Sequence, residues 1–407
     1  MRLKSFSRRT LGLGVFAAAT SPAASTLSWS PVSLGQEPDA PTDRVNAPTA
    51  RVHSTRVISR DDGYYCGWPT VTRRSNGQLI LVWSGGREQH VCPFGRVDTM
   101  KSDDEGKTWS WPRTLLDGAI DDRDAGVLET ANGSLLVTTF TSLAYVDYEL
   151  KKAIREQGTE QGWSDSRLSN WLAVHERLSE KQRQGELGQW MIRSTDGGTT
   201  WSERYPSIVN SPHGPIQLSD GRLLYAGVKL WDPDRKVGVC QSIDDGQNWT
   251  WLAEIPTRPG DDSKNYHELH AVEAADGTIV VQIRNHNRMN HSETLQCESK
   301  DGGKTWTQPH SINIWGLPSH LLRLSDGRLL MSYGYRRSPF GIQVRLSEDF
   351  GESWSKSLTI ASDGVGGDLG YPSTVELSGG RLLTVWYERM KLSPKAVLRQ
   401  AEWSIEY

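Results

Sequence analysis

The 407-residue sequence has no excess of one charge: 46 Lys and Arg face 49 Asp and Glu, a net of −3. It therefore lacks the basic footprint of a nucleic-acid binder. No apolar run reaches the roughly 18 residues a spanning helix needs, so no transmembrane helix is predicted. Cysteine is scarce, at four residues. No tight His or Cys ligand spacing occurs. A metal site from His213, His267, His270 and His320 is therefore the weakest reading of those histidines, and no cofactor is expected. What the chain does have is 39 glycines and 17 tryptophans, the composition of short strands and many turns in one large all-β domain.

At the N-terminus, "SRRTLGLG" (7–14) supplies paired arginines, and a short apolar stretch ending in small residues follows. This resembles a twin-arginine export leader over residues 1–25, with cleavage near Ser25 and an exported mature chain. Residues 26–50, rich in Pro, Ser, Thr and Ala, read as a disordered spacer before a domain over 51–407.

One octapeptide recurs: "SDDEGKTW" (102–109), "STDGGTTW" (194–201), "SIDDGQNW" (242–249), "SKDGGKTW" (299–306) and "SEDFGESW" (347–354). Its aspartates are 92, 48, 57 and 48 residues apart, a period that marks a repeat architecture. A second motif keeps step with it. Asn-Gly, Asp-Gly or Gly-Gly precedes an apolar run at 76–83, 132–139, 220–227, 276–283, 326–333 and 379–386, which reads as six hairpins. The aspartate can bind the amides of its own turn, and the tryptophan can pack beneath a sheet, so the octapeptide is fold chemistry rather than a catalytic acid.

Six antiparallel sheets about an axis make a six-bladed β-propeller. The last repeat is too short for a fourth strand, and "RVHSTRVI" (51–58) is expected to supply it, closing the ring and covering an edge. The long interval of 92 contains an insertion in blade two, residues 142–190. Its spacing of Trp171, Leu172, Val174 and Leu178 predicts helix, and a structured insertion of this kind is expected to overhang a site. Cys240 and Cys297 share one register of neighbouring repeats and read as separate buried thiols, whereas a bridge between Cys66 and Cys92 is left open.

Counting back nine residues from each hairpin glycine reaches the start of each inner strand: Trp68, Asp124, Pro212, Glu268, Pro318 and Tyr371. His213, His267, His270, Ser319 and His320 are neighbours of these positions. The ends of the second strands reach the same face with Arg87, Lys229, Arg284, Arg336 and Arg337, and His90 lies just beyond Arg87. Clustered arginines suit a carboxylate or sulfate, because the guanidinium fork binds it bidentately. A tyrosine beside a glutamate can be made a nucleophile when the carboxylate takes its proton.

These features resemble the sialidase (neuraminidase) superfamily across about residues 51–407. The octapeptides correspond to its Asp-boxes. "YHELHAVEAADGTIVVQIR" resembles the segment in which a glutamate precedes a clamp arginine by sixteen residues, here Glu268 and Arg284. "SYGYRRSPFGIQVRLSEDFGESW" resembles the segment of a further clamp arginine, Arg336, with Arg337 as its runner-up, and "DLGYPSTVELSGGRLLTVWYE" resembles that of the tyrosine nucleophile, Tyr371. The family's first clamp arginine is replaced by Gly67 in "CGWPT", and "GGREQHVCPFG" offers His90 where an acid/base aspartate belongs.

The resemblance implies an exported exo-acting glycoside hydrolase on an acidic or decorated glycan. Tyr371, Glu268 and His90 are its catalytic candidates. Arg284, Arg336, Arg337, Arg87, Arg123, Asp124, His213 and Trp68 are its substrate-binding candidates, with Arg87 or Arg123 replacing the missing arginine. Two other readings stand beside it: a glycan-binding propeller without turnover, and a lyase or unusual glycosidase on acidic polysaccharide.

Overall fold

The computed structural model describes residues 47–59, 63–393 and 395–407. The expected leader and residues 26–46 of the expected spacer lie outside the described residues. The described residues form a single compact unit. They contain six four-stranded antiparallel sheets, five in meander order from the axis outward and the sixth taking its outer strand from the N-terminal segment. The inner strands are Tyr65–Arg73, Asp121–Glu129, Ile216–Gln217, Tyr266–Glu273, Ser319–Arg323 and Leu369–Glu376. Each is followed by its glycine hairpin. At Gly77 (φ 87°) the turn needs the left-handed conformation, and the Asn76 side chain accepts a bond from the Gln78 amide at 3.0 Å.

The ring closes as the short last repeat requires. Thr49–Val57 pairs antiparallel with Ala396–Glu406, from Thr49 opposite Glu406 to Val57 opposite Arg399. The pairing begins two residues before the expected boundary, so Thr49 and Ala50 belong to the sheet and not to the spacer.

The octapeptides act as turn locks. In the first, Asp104 Oδ1 accepts from Ser102 Oγ and from the Thr108 amide, both at 2.8 Å, while Oδ2 accepts from Thr108 Oγ1 at 2.7 Å. Asp196, Asp244, Asp301 and Asp349 repeat the pattern. Each tryptophan fills a seam between its own blade and the preceding one. Trp109 packs between blades six and one, Trp201 between one and two, Trp249 between two and three, Trp306 between three and four, and Trp354 between four and five. Blade six has no octapeptide, and Trp403 of the last strand fills its seam with blade five. The core is thus six apolar seams arranged around a polar axis.

The insertion in blade two leaves after Ser142 and returns at Gln189. It holds a π-turn at Val146–Leu150 and helices at Lys151–Arg155, Asp165–Glu176 and Glu180–Gly185. The longest helix is capped by Ser164, and its apolar side, Leu168 and Trp171, joins Tyr145, Leu150, Ala153 and Cys92 in a small separate core. Cys92 therefore sits under the insertion, while Cys66 sits in the seam of blades six and one. No disulfide joins them. Among the described residues no helix is long and apolar enough to cross a membrane.

Candidate active site

Of the residues nine before the hairpin glycines, Trp68, Asp124, Glu268 and Tyr371 come together. Three of them, Trp68, Asp124 and Tyr371, have φ of 53°, 51° and 50°. Each lies at a break in register between the first two strands of blades one, two and six. A non-glycine residue held there costs about 1–3 kcal/mol, and such bulges re-aim side chains. Gly370 (φ 124°) supplies the neighbouring freedom that lets the chain enter the Tyr371 bulge.

Tyr371 donates its hydroxyl to Glu268 Oε1 at 2.5 Å. Arg284 Nη1 donates to the same carboxylate oxygen at 3.0 Å and to the tyrosine oxygen at 3.1 Å. Burial works to raise the Glu268 carboxyl, but Arg284, then His267 and the tyrosine hydrogen bond, hold it down to about 2. Burial, reinforced by the Glu268 charge, keeps the Tyr371 phenol well above its ordinary range. The resting pair is thus a neutral phenol beside an ionised acceptor. Glu268 Oε2 is buried with no hydrogen-bond partner.

The arginines separate into different roles. The Arg336 guanidinium carbon is 5.7 Å from the Tyr371 ring centroid, and its Nε donates to the Leu369 carbonyl at 2.9 Å. The Arg337 guanidinium carbon lies 3.5 Å from the Trp315 ring centroid. Arg284, Arg336, Arg337, His286, His291 and Trp315 line a cavity of about 340 Å³ whose lining holds no carboxylate. Burial, with Arg284 beside it, lowers the His286 imidazole to about 4.

Arg87, expected as a stand-in for the missing clamp arginine, is fully buried and committed elsewhere. Its two Nη atoms meet the two oxygens of Asp121 at 2.6 and 2.9 Å. Trp68, expected to touch substrate, is 1% exposed. Its ring lies 4.9 Å from the Arg87 guanidinium carbon and 4.6 Å from that of Arg123, so it serves as packing and offers no sugar platform. Arg123 is the half-buried one of the two, with no carboxylate partner among the described residues. Asp124 is buried, its Oδ1 has no partner, and burial raises its carboxyl to about 7.

His213 is buried, with ring centroids 6.5 Å from Tyr371, 5.2 Å from His270 and 5.0 Å from His320. Burial lowers all three imidazoles. Among the described residues no group of three or more His, Cys, Asp or Glu is arranged to hold a metal ion.

His90 lies beside Trp68, with centroids 5.0 Å apart, and lines a different cavity of about 240 Å³ together with Tyr65, Asp368 and Glu88. Sequence reasoning missed Tyr65, Asp368 and Trp315. The first two had a signal: each stands three residues before a marked inner-strand position, Trp68 and Tyr371.

The BNR repeat-like domain matches residues 163–384, more than half of the chain. A sialidase of Bacteroides fragilis is 24% identical over 79% of this chain and 59% of its own length. One of Clostridium perfringens is 24% identical over 69% of this chain and 58% of its own. The chain thus spans less than two thirds of these relatives. Among solved structures, a protein of unknown function from Dyadobacter fermentans aligns with a TM-score of 0.68 at 23% identity, over 88% of this chain and 99% of that one. The intramolecular trans-sialidase of Ruminococcus gnavus aligns with a TM-score of 0.59 at 15% identity, over 84% of this chain and 94% of that one. With the six blades and five Asp-boxes already described, these matches identify the chain as a BNR-repeat propeller of the sialidase superfamily.

Proposed function

We propose that this chain is an exported glycoside hydrolase of sialidase type that cleaves an acidic or decorated sugar from the end of a glycan. The observation that carries the reading is the 2.5 Å contact of Tyr371 with Glu268 under Arg284. A non-catalytic lectin has no need of a phenol poised against an ionised carboxylate. The cation-lined cavity beside it supports an anionic substrate, with Arg284 and Arg336 as the clamp and Arg123 as the third cation.

In the first half-reaction Tyr371 gives its proton to Glu268 as its oxygen bonds the anomeric carbon. The bond to the leaving oxygen breaks, and that oxygen takes a proton from the imidazolium form of His90, which is left as the neutral ring. In the second, water bonds the anomeric carbon and gives His90 a proton, while Tyr371 leaves and recovers its own from Glu268. The sum is one glycosidic bond hydrolysed by one water, with every protein group restored.

The mature chain is to be assayed against fluorogenic sialosides and uronides. Release from sialosides, lost by about three orders of magnitude in Tyr371→Phe with sugar binding retained, is the expected result. Binding without release supports the glycan-binding reading, and unsaturated products support a lyase.

A further inference from the structure

The His90 loop is held from four directions. Tyr65 Oη lies 2.8 Å from His90 Nδ1 and donates its own proton to Asp368 Oδ1 at 2.9 Å. Asp368 Oδ1 is itself 3.2 Å from the same Nδ1 and also accepts from Tyr387 at 3.3 Å. With the Tyr65 proton directed to Asp368, both oxygens facing Nδ1 are placed to accept from it, and a carboxylate oxygen can do nothing else. Arg87 Nη2 donates to the His90 carbonyl at 3.1 Å. Two residues earlier, Glu88 receives Trp171 Nε1 at 2.7 Å and pairs with Arg167, both from the long helix of the insertion, and Arg167 also reaches Gln89 at 2.6 Å. From blade six Lys395 caps the Glu88 carbonyl.

The three blades that carry the positive-φ residues also supply this collar. Tyr65, Asp121 and Asp368 each stand three residues before Trp68, Asp124 and Tyr371. Two of them grip the His90 ring, and the third grips Arg87, which grips the His90 backbone.

We infer that Asp368 and Tyr65 are positioning residues that fix His90 as its Nδ1–H tautomer, leaving Nε2 as the proton-transferring atom, and that the helical insertion braces the same loop through Glu88. The inference rests on the role proposed for His90 in glycoside cleavage. A carboxylate behind an imidazole selects tautomer and orientation without touching substrate. Burial depresses the His90 imidazole below its ordinary value; Asp368 works to raise it, while Arg123 and Arg87 add to the depression. Of the other groups lining its cavity, Glu88 and Glu149 are acidic and Arg389 and Lys395 basic. Removing Asp368 takes away the upward contribution, so the His90 titration moves to still lower pH.

The test uses the full mature chain with 15N-labelled histidine. The native protein is expected to show His90 protonated on Nδ1, with that preference lost and the titration midpoint lowered in Asp368→Asn. Activity on a fluorogenic sialoside with a poor leaving group is expected to fall about tenfold to a hundredfold in kcat with little change in KM. The alkaline limb of its pH profile shifts to lower pH. Glu88→Gln reports on the brace: a broadened His90 signal with the Tyr371 environment unchanged. A native His90 protonated on Nε2, or an Asp368→Asn protein with tautomer and midpoint unaltered, overturns the inference. Full turnover by His90→Gln overturns instead the role of His90 in the reaction, and the tautomer measurement stands apart from it.

Discussion

At the scale of single residues, the site is organised by where charge is kept and where it is refused. Glu268 is ionised because Arg284 outweighs its burial, whereas Asp124, at the same level of another blade, lacks such a partner and is pushed up to about 7. Counting from the hairpin glycines located both, along with Tyr371, because the turn fixes how far each inner strand runs. It could not tell a buried arginine from an available one. The sequence offers Arg87 and Arg123 alike as the replacement clamp, and only the placement of Asp121 beside Arg87 shows that its charge is already matched. Asp124 allows a sharp check. A carboxyl raised in the fold stabilises it fully below its unfolded value near 4, and that contribution is lost as pH rises through about 7. Asp124→Asn is neutral at every pH, so its stability relative to the native chain should grow between pH 4 and 7, by on the order of a few kcal/mol, then level off. Thermal melts at pH 4, 6 and 8 decide it. A pH-independent difference means that the carboxyl is ionised in the fold.

At the scale of elements, blades and insertion differ in how much the sequence declares. The blades announce themselves because one solution is used repeatedly: a turn that needs glycine, an aspartate that binds its own amides, and a tryptophan for the seam. The insertion occurs once. Its helix was legible from Trp171 and its neighbours, but its purpose was not. The partners that matter, Glu88 and Gln89, lie roughly 80 residues away in a loop with no pattern of its own. Asp368 stands three residues before Tyr371, which marks its level on the inner strand, but nothing local names the histidine 278 residues distant that it serves. Trp171 is fully buried in the insertion's own small core and also donates to Glu88. Trp171→Ala should cost about 3–5 kcal/mol of local stability and free the 88–94 loop, while the propeller melts nearly as before. Hydrogen exchange would show faster exchange confined to 88–94 and 143–186. Loss of protection throughout the blades would mean that the insertion is integral to the ring.

Across the whole molecule, a polar axis runs through six apolar seams, and this arrangement sets the response to acid. His213, His270 and His320 are buried around the axis, and burial lowers each imidazole, His320 to about 3. Groups depressed in the fold stabilise it fully above their unfolded value near 6.5 and lose that contribution as pH falls. Each adds a slope of up to about 1.4 kcal/mol per pH unit, so stability should decline steeply below pH 6.5, and His320→Asn should reduce that slope by up to about 1.4 kcal/mol per pH unit. Urea titrations at pH 4, 5 and 6 measure it, and a slope unchanged in the variant contradicts the assignment.

The ring's closure calls for a different expectation. Eight of the nine residues of Thr49–Val57 are exposed, so the strand buries little apolar surface. Its contribution lies in the ladder it makes with Ala396–Glu406 and in Arg56, which binds the Lys107 carbonyl at 2.6 Å across the seam to blade one. A chain beginning at Ile58 should therefore lose only a few kcal/mol and keep its fold. It would expose the unpaired edge of an eleven-residue strand, which other chains can extend. Its melting temperature should fall modestly while its aggregation rate rises strongly with concentration, and light scattering during a thermal ramp separates the two. Complete unfolding at 25 °C would show that closure, and not edge protection, is what the strand provides.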